Sequence, residues 1–131
     1  MPTITEDRDA IRDLLARYIA TVDSNPLMPE RWAAFYADDG EFHQLGRDPI
    51  VGQAALTAFA ATLPAGGMRH MITDHIIEVD GDTATCEATV LVFVNAQFAG
   101  MGRATDRLHR VDGAWRIAQR SYVPDFQSSS T

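Results

Sequence analysis

The 131-residue sequence contains a single cysteine, Cys86. One thiol cannot close an internal disulfide, and it cannot supply a metal site built from several cysteines. Chains without disulfides are typical of reducing compartments. We therefore expect a cytoplasmic protein.

The sequence also lacks a long hydrophobic run. A helix that crosses a bilayer needs about 20 consecutive apolar residues, and no stretch of this sequence approaches that length. The first residues, MPTITEDRDAIRD, carry charges and no apolar segment, so we expect no signal peptide. These absences predict a protein without a membrane partner.

Basic residues are scarce. The sequence has 11 lysines and arginines against 18 aspartates and glutamates, which gives a formal net charge of −7. Nucleic acid is therefore not an expected partner.

The hydrophobic content of 46% is enough for one core and one buried pocket. We expect a single domain over residues 1–131, with a core from about 5 to 124 and a frayed polar tail over 127–131.

Motifs for metals and cofactors are missing as well. The four histidines form no H-x-H pair and no HExxH helix: His43, His70, His75 and His109. No glycine-rich loop leads from a strand into a helix, and no G-x-S-x-G elbow is present. The sequence therefore predicts no metal, no organic cofactor and no serine nucleophile.

The first half of the sequence has the pattern of helices. Thr3 or Thr5 can cap a first helix near residues 5–24, ahead of an acidic first turn. Two shorter helices are predicted near residues 29–37 and 52–63. The apolar residues of the first helix recur at helical spacing: Ile11, Leu14, Leu15, Tyr18, Ile19 and Val22.

The second half has the pattern of strands joined by tight turns. We predict turns at 38–40, 80–82 and 112–113, a loop at 46–52, and strands at 41–45, 68–79, 83–97, 101–111 and 114–123, the last ended by Pro124. Helices followed by a meander of strands predict an α+β fold. In this fold, a strongly curved, mostly antiparallel sheet wraps around the N-terminal helices as a cone with one open mouth.

Two side chains of the first helix have the chemistry of proton transfer. Tyr18 lies on the apolar stripe, where it is either a core tyrosine or a hydrogen-bond donor. Asp23 lies in the last turn, where a negative charge opposes the helix dipole by about 0.3–1 kcal/mol. It is therefore either solvated or held by another group. The two side chains point about 140° apart around the axis, so they border one pocket only if the helix end runs along its mouth.

Two histidines on the first long strand are candidates for the imidazole of the same site. Strict alternation places His70 on one face with Ile72 and Ile76, and His75 on the other. One of the two histidines is then structural or exposed. The residues alone do not choose between them.

Five blocks of the sequence, in this order, resemble the SnoaL-like branch of the nuclear transport factor 2-like superfamily: ARYIATVDS, W-x-x-F-Y-A-D-D-G-x-F, V-G-x-x-A-L, RHMITDHIIEVDGDTA and GRATDRLHRVDGAWRIAQR. The resemblance covers roughly residues 5–124 and implies the cone fold. The superfamily includes ketosteroid isomerases, scytalone dehydratase, bile-acid 7α-dehydratase, polyketide cyclases and non-catalytic binding domains, so the fold alone does not specify a reaction.

The resemblance also implies roles for individual residues. Tyr18 matches a tyrosine that donates a hydrogen bond to an oxyanion in the isomerases. Asp23 and His70 match the acid–base pair of the dehydratases, and on this ground we choose His70 over His75.

Asp106 shares a strand face with Ala104 and Leu108, so its carboxylate is either paired with an arginine or kept neutral by burial. Arg120 is the candidate partner. The resemblance places Asp106 where the isomerases keep a protonated aspartic acid, and Arg120 near an arginine of the bile-acid dehydratase pocket.

Two features depart from the resemblance. The general base of the isomerases would lie near Gln44, and an amide cannot take a proton at neutral pH. The dehydratases place a further histidine or aspartate on the middle strand, where residues 89–94 offer only apolar groups and Thr89.

Two functions follow as hypotheses. The first is a cofactor-independent dehydratase or isomerase that acts on a small apolar, steroid-, terpene- or polyketide-like substrate through Tyr18, Asp23 and His70. The second is a non-catalytic small-molecule-binding or assembly domain on the same fold. A hydrogen bond between Asp23 and His70 in a cavity would favour the enzyme. The predicted pocket wall includes Asp106, Arg120, Trp32, Ile72, Phe93 and Leu108.

A homodimer is also expected. Long strands such as 83–97 carry apolar residues on both faces, whereas a cone has one interior. The outer face of the sheet would therefore leave an apolar patch of a kind that monomers rarely expose.

Overall fold

Three helices and six strands follow one another in the computed structural model, which describes residues 2–64 and 66–127. The helices are α1 (Ile4–Val22), α2 (Pro29–Ala33) and α3 (Gln53–Ala60). The strands are β1 (Tyr36–Gln44), β2 (Ile50–Val51), β3 (Met68–Asp80), β4 (Thr83–Val94), β5 (Gln97–Val111) and β6 (Ala114–Gln127).

Helix α1 begins at a capping box. The Thr3 hydroxyl accepts the backbone N–H of Glu6 at 3.1 Å, and the Glu6 carboxylate accepts the backbone N–H of Thr3 at 3.3 Å. These bonds satisfy two of the backbone groups that a helix start leaves unpaired. The helix ends at Val22 with Asp23 as its C-cap, so the Asp23 side chain leaves the helix next to β3.

The six strands form one sheet in the order β2-β1-β6-β5-β4-β3. Neighbouring strands are antiparallel, except that β1 and β6 run parallel. The sheet is curved and does not close. The predicted α+β fold, with helices against the inner face of a curved sheet, is confirmed.

The core lies between the helices and the inner face of the sheet. The ring of Trp32 lies 5.6 Å from the ring of Tyr18 and 5.1 Å from the ring of Tyr36, measured between centroids. On β4 the inner face carries the small buried residues Ala84 and Ala88. Large side chains thus come from the helices and β1, while β4 leaves room beneath them.

Strand β1 is longer than predicted, and residues 38–40 lie within it rather than in a turn. Its pairing with β6 shifts register between Tyr36 and Glu41. At this irregularity a Cβ on Gly40 would lie 2.8 Å from the Cβ of Tyr36. The glycine therefore permits a close backbone approach, and it does not mark a turn. Helix α2 is correspondingly shorter than predicted, and β2 occupies part of the predicted loop at 46–52.

The predictions for the later strands are wrong at three boundaries, one of which is the start of β5 at Gln97 rather than at residue 101. Strand β4 ends at Val94 because Asn95 and Ala96, with φ of 50° and 67°, form a two-residue hairpin turn, for which the sequence offers no glycine. Strand β6 continues past Pro124. The last residue of β6 that pairs with β1 is Tyr122, so one edge of β6 is free beyond that point and tolerates a proline without an N–H. The predicted frayed tail lies, apart from Gln127, outside the described residues.

A bulge interrupts β3 and overturns the predicted alternation of its side chains. Thr73 pairs with Thr89 and Ile76 pairs with Glu87, so Asp74 and His75 together oppose one residue. Beyond the bulge, Ile76 is 57% exposed, on the outer face. The prediction that Ile76 shares a face with His70 is therefore wrong, because the extra residue exchanges the two faces.

Within the described part of the chain, no helix combines the length and the apolar character that crossing a membrane requires.

Candidate active site

A cavity of about 370 Å³ lies between the helices and the inner face of the sheet. Most of its wall is apolar and includes Val22, Phe42, Phe59, Met68 and Val92. Polar side chains of the described residues also line it, namely Tyr18, Gln44, His70, Arg120 and Tyr122. A mostly apolar cavity with a few polar groups is the usual form of a small-molecule site.

Asp23 holds His70 through both of its carboxylate oxygens. One oxygen lies 2.6 Å from the His70 Nδ1, and the other accepts the backbone N–H of His70 at 2.7 Å. Only 8% of the Asp23 side chain and 19% of the His70 side chain is exposed. A carboxylate at Nδ1 fixes the proton there and leaves Nε2 as the acceptor nitrogen. No hydrogen-bond partner for this Nε2 is found among residues 2–64 and 66–127.

This contact accounts for the position of Asp23. A carboxylate at a helix C-terminus opposes the helix dipole, and the two N–H groups of His70 compensate for this. Both residues lie near the ends of their elements. Asp23 directly follows the last residue of α1, Val22, and His70 is the third residue of β3, which begins at Met68. The hydrogen bond predicted between Asp23 and His70 is present.

Tyr18 is buried and forms a hydrogen bond with a second phenol. Its hydroxyl lies 2.8 Å from the hydroxyl of Tyr36. Burial raises the pKa of Tyr18 to about 12, although Arg120 and Tyr36 act to lower it. Burial likewise raises the pKa of Tyr36 well above its usual value. Tyr18 therefore keeps its proton at any physiological pH and can act as a hydrogen-bond donor on the cavity wall.

Arg120 and Asp106 form a buried ion pair next to Tyr18. The Arg120 Nη1 donates to an Asp106 carboxylate oxygen at 2.7 Å, and the Arg120 guanidinium lies 4.9 Å from the centroid of the Tyr18 ring. Burial raises the pKa of Asp106, and Arg120 opposes this effect. The second oxygen of Asp106 has no partner among the described residues. The pair thus places a positive charge on the cavity wall and its counterion behind that wall.

The structure places four of the nine predicted site residues on the cavity wall. Tyr18, His70, Trp32 and Arg120 line the cavity. Asp23 and Asp106 do not line the cavity. Asp23 is hydrogen-bonded to His70, and Asp106 to Arg120, and these two partners do line it.

Three predicted wall positions are corrected. Leu108 is fully buried in the core and does not line the cavity. Ile72 also packs against the core, one step past His70 on the same face. Phe93 contacts Phe98 at 5.9 Å and belongs to the outer face, because the inward residues of β4 that line the cavity are Val90, Val92 and Val94.

Gln44 and Tyr122 also line the cavity. Neither was among the predicted wall residues, although the resemblance places the general base of the isomerases near Gln44. The two residues pair across β1 and β6, and a parallel pairing of distant strands is not visible in the sequence. One signal was available at Gly102, where a Cβ would lie 2.8 Å from the Tyr122 ring. A glycine inside a strand indicates such a close approach.

The chain has three tyrosines, and burial raises the pKa of all three: Tyr18, Tyr36 and Tyr122. At about pH 10, where free tyrosine is half ionised, we expect the folded protein to show little tyrosinate absorbance. The unfolded chain should lose its phenolic protons first, so the free energy of unfolding should fall as pH rises above about 10. A spectrophotometric titration with urea-unfolded protein as the control measures this. A folded protein that titrates like free tyrosine would contradict the burial.

Among the described residues, no group of three or more histidine, cysteine, aspartate and glutamate side chains is placed to hold a metal ion.

Comparison with known proteins gives a family and a set of structural relatives. The sequence pattern of the SnoaL-like domain matches residues 3–121. No curated protein matches the chain. A protein of unknown function from Mycobacterium tuberculosis has a similar structure, with a TM-score of 0.81 and 35% identity over 91% of this chain and 72% of that one.

Two structures from Novosphingobium aromaticivorans are also similar. One, an NTF2-like protein with a cystatin-like fold, has a TM-score of 0.82 and 27% identity over 97% of this chain and 87% of its own. The other, provisionally described as a scytalone dehydratase, has a TM-score of 0.81 and 20% identity over 95% of this chain and 88% of its own. At that identity the second similarity concerns the fold alone.

Proposed function

Because the chain belongs to the SnoaL-like domain family, we propose that it is a cofactor-independent acid–base enzyme of the dehydratase or isomerase type. The observation that carries this proposal is the contact of Asp23 with both Nδ1 and the backbone N–H of His70, at 2.6 and 2.7 Å, on the wall of a cavity. A packed core needs no such arrangement, since an ionisable pair is costly to bury.

The proposed reaction begins with proton removal by His70. The Nε2 of His70 takes a proton from a carbon next to a carbonyl group, and the electron pair of that C–H bond forms an enolate. In a dehydration, the bond from the neighbouring carbon to its hydroxyl then breaks, and the proton on Nε2 leaves with the hydroxyl as water. In an isomerisation, the same proton returns to a different carbon of the substrate.

Asp23 and Tyr18 have supporting roles in this scheme. Asp23 holds Nδ1–H, so that Nε2 faces the cavity as the base, and its charge stabilises the imidazolium that forms. Tyr18 donates a hydrogen bond from its hydroxyl to the enolate oxygen and keeps its proton, and a well-placed donor of this kind contributes about 3–4 kcal/mol.

The cavity also supports a substrate class. Its volume of about 370 Å³ lies at the small end of the range for ligand sites, and its wall is mainly apolar. We propose a small apolar ketone of the steroid-, terpene- or polyketide-like kind.

The proposal is tested with 2-indanone, a bicyclic ketone with acidic protons next to its carbonyl. In deuterated buffer, the wild-type protein should exchange these protons faster than buffer alone, as followed by proton NMR. A wild-type rate equal to that of buffer, with 2-indanone bound, would contradict the proposed proton transfer and favour a binding domain.

We further propose a cytoplasmic homodimer that associates through the outer face of the sheet. Exposed apolar side chains on that face include Met71 (49% exposed), Ile76 (57%) and Val123 (46%). The proposed location rests on the lone thiol of Cys86, which is buried and free, because a chain without disulfides suits a reducing compartment.

An Ile76→Arg variant should shift the protein from dimer to monomer, because it places a charge in the proposed apolar interface. Sedimentation velocity at micromolar concentration measures this shift. Ile4→Arg is the matched control, since Ile4 is equally exposed, at 56%, but lies on α1. Wild-type protein that sediments as a monomer would contradict the dimer.

A further inference from the structure

A second hollow lies outside the cavity of the candidate active site. It is an open groove of about 600 Å³ between α1, the end of α2 and the start of β6, and its volume is typical of ligand sites. Among residues 2–64 and 66–127, none lines both the groove and the cavity. Three arginines from three different elements line the groove, which we call the arginine groove: Arg17, Arg31 and Arg116.

The arginine groove concentrates positive charge in a protein whose formal net charge is −7. None of the aspartates and glutamates in the described part of the chain lines it. Arg17 is paired with Asp13 at 2.8 Å. Arg31 and Arg116, by contrast, form no ion pair with any residue that the structure describes. Two positive charges without a counterion therefore line one groove, and such a site attracts an anion.

Two hydrogen bonds tie the end of α2 to the start of β6 and so fix this part of the groove. The Arg116 Nη1 donates to the backbone carbonyl of Ala34 at 2.6 Å, and the backbone N–H of Ile117 donates to the carbonyl of Phe35 at 2.9 Å. A guanidinium has five N–H donors, so the bond to Ala34 leaves most of those on Arg116 for a ligand. The cation is thus held in place before a ligand binds, which lowers the entropy cost of binding.

Apolar side chains line the same groove, among them Leu14, Phe35 and Trp115. Phe35 is half-buried, and the Nε1 of Trp115 lies 3.4 Å from an Asp7 carboxylate oxygen. Because that N–H is already used, the part of the Trp115 ring that lines the groove is apolar. Two aromatic rings beside arginines fit a flat apolar body that carries an anionic group. A carboxylate is the anion that a planar guanidinium binds through two parallel hydrogen bonds.

We propose that the arginine groove is a second ligand site, which binds a small aromatic carboxylate. The carboxylate of the ligand accepts hydrogen bonds from Arg31 and Arg116, and its ring packs against Phe35 and Trp115. This site is separate from the proposed reaction, because neither His70 nor any other residue of the cavity wall belongs to it. The protein would therefore hold two small molecules of different charge at once.

The two tryptophans of the chain report separately on the two sites, since Trp115 lines the arginine groove and Trp32 lines the cavity. The probes are 2-naphthoate and its neutral analogue of similar shape, 2-naphthamide. In a proton–nitrogen NMR titration, 2-naphthoate should move the indole N–H resonance of Trp115. We expect its dissociation constant at this site to be at least about 10-fold lower than that of 2-naphthamide, because only the carboxylate pairs with the arginines.

Substitution of the arginines tests which residues bind the probe. Arg31→Gln should weaken 2-naphthoate binding, measured at Trp115, by about 3–5-fold, the usual effect of losing a partly exposed ion pair. Adding Arg116→Gln should bring the loss to at least about 10-fold. Arg47→Gln is the matched control, since Arg47 is exposed and lies outside the groove, and it should leave the affinity unchanged.

Three results would overturn the inference. In the first, 2-naphthoate moves only the Trp32 resonance, which would place the anion in the cavity. In the second, 2-naphthamide binds at Trp115 as tightly as 2-naphthoate. In the third, Arg31→Gln affects binding no more than Arg47→Gln does.

Discussion

Replacing His70 by alanine is expected to slow proton exchange of the substrate ketone by about 10²–10⁴-fold, the usual contribution of a general acid–base group. The fold should persist, because Asp23 keeps its bond to the backbone N–H of residue 70 and the ring borders a cavity rather than the packed core. Exchange of 2-indanone protons under saturating conditions measures the effect. His75→Ala is the matched control, since His75 lies on the same strand outside the cavity wall and should leave the rate unchanged.

Asp23→Asn should cost somewhat less than His70→Ala. The amide keeps the shape of the carboxylate and can still accept a hydrogen bond from Nδ1, but it loses the charge that stabilises the imidazolium. Full activity in both variants would contradict the assigned roles.

Removing one partner of the buried pair is expected to have the largest effect on stability. Asp106→Ala should lower the free energy of unfolding by about 3–5 kcal/mol, because it leaves the Arg120 charge buried without its counterion. Urea denaturation monitored by circular dichroism measures this loss. The double variant Asp106→Leu with Arg120→Met should recover most of the stability, since it removes both charges and fills a similar volume.

The double variant shows whether the stability loss in Asp106→Ala comes from the unpaired charge or from lost packing. If it is as unstable as Asp106→Ala, the loss comes from packing around β5 and β6 rather than from an unpaired charge. The account would then be wrong about the pair, although not about the cavity.

The sequence was sufficient for the fold because its local signals agree with one another. The apolar stripe of α1, the turn residues near Gly81 and Gly113, and the meander of long strands all favour one α+β arrangement. The boundaries that failed depend on tertiary pairing. Strand β1 follows its partner β6 through a bulge, and β6 passes Pro124 because its pairing with β1 has ended at Tyr122 and leaves that edge free.

The candidate site was predicted only in part, for a related reason. Asp23 has a chemical type that stands out at the end of a helix, and the strand offers two histidines, between which only the family resemblance chose His70 over His75. Tyr122 offers no such signal, because it reaches the cavity through the pairing of β6 with β1, which are far apart in the sequence. The bulge at Asp74 likewise exchanges the two faces of β3 and depends on the register with β4.

The tautomer of His70 tests the central claim most directly. The claim is that Asp23 holds the proton on Nδ1, so that an unprotonated Nε2 faces the cavity. A long-range proton–nitrogen NMR spectrum at about pH 8.5, where imidazole is ordinarily neutral, distinguishes the two ring nitrogens. The account predicts that His70 carries its proton on Nδ1 and that its Nε2 resonance is perturbed by added 2-indanone. A proton on Nε2 would contradict the account, because the nitrogen facing the ligand would then be a donor and not a base.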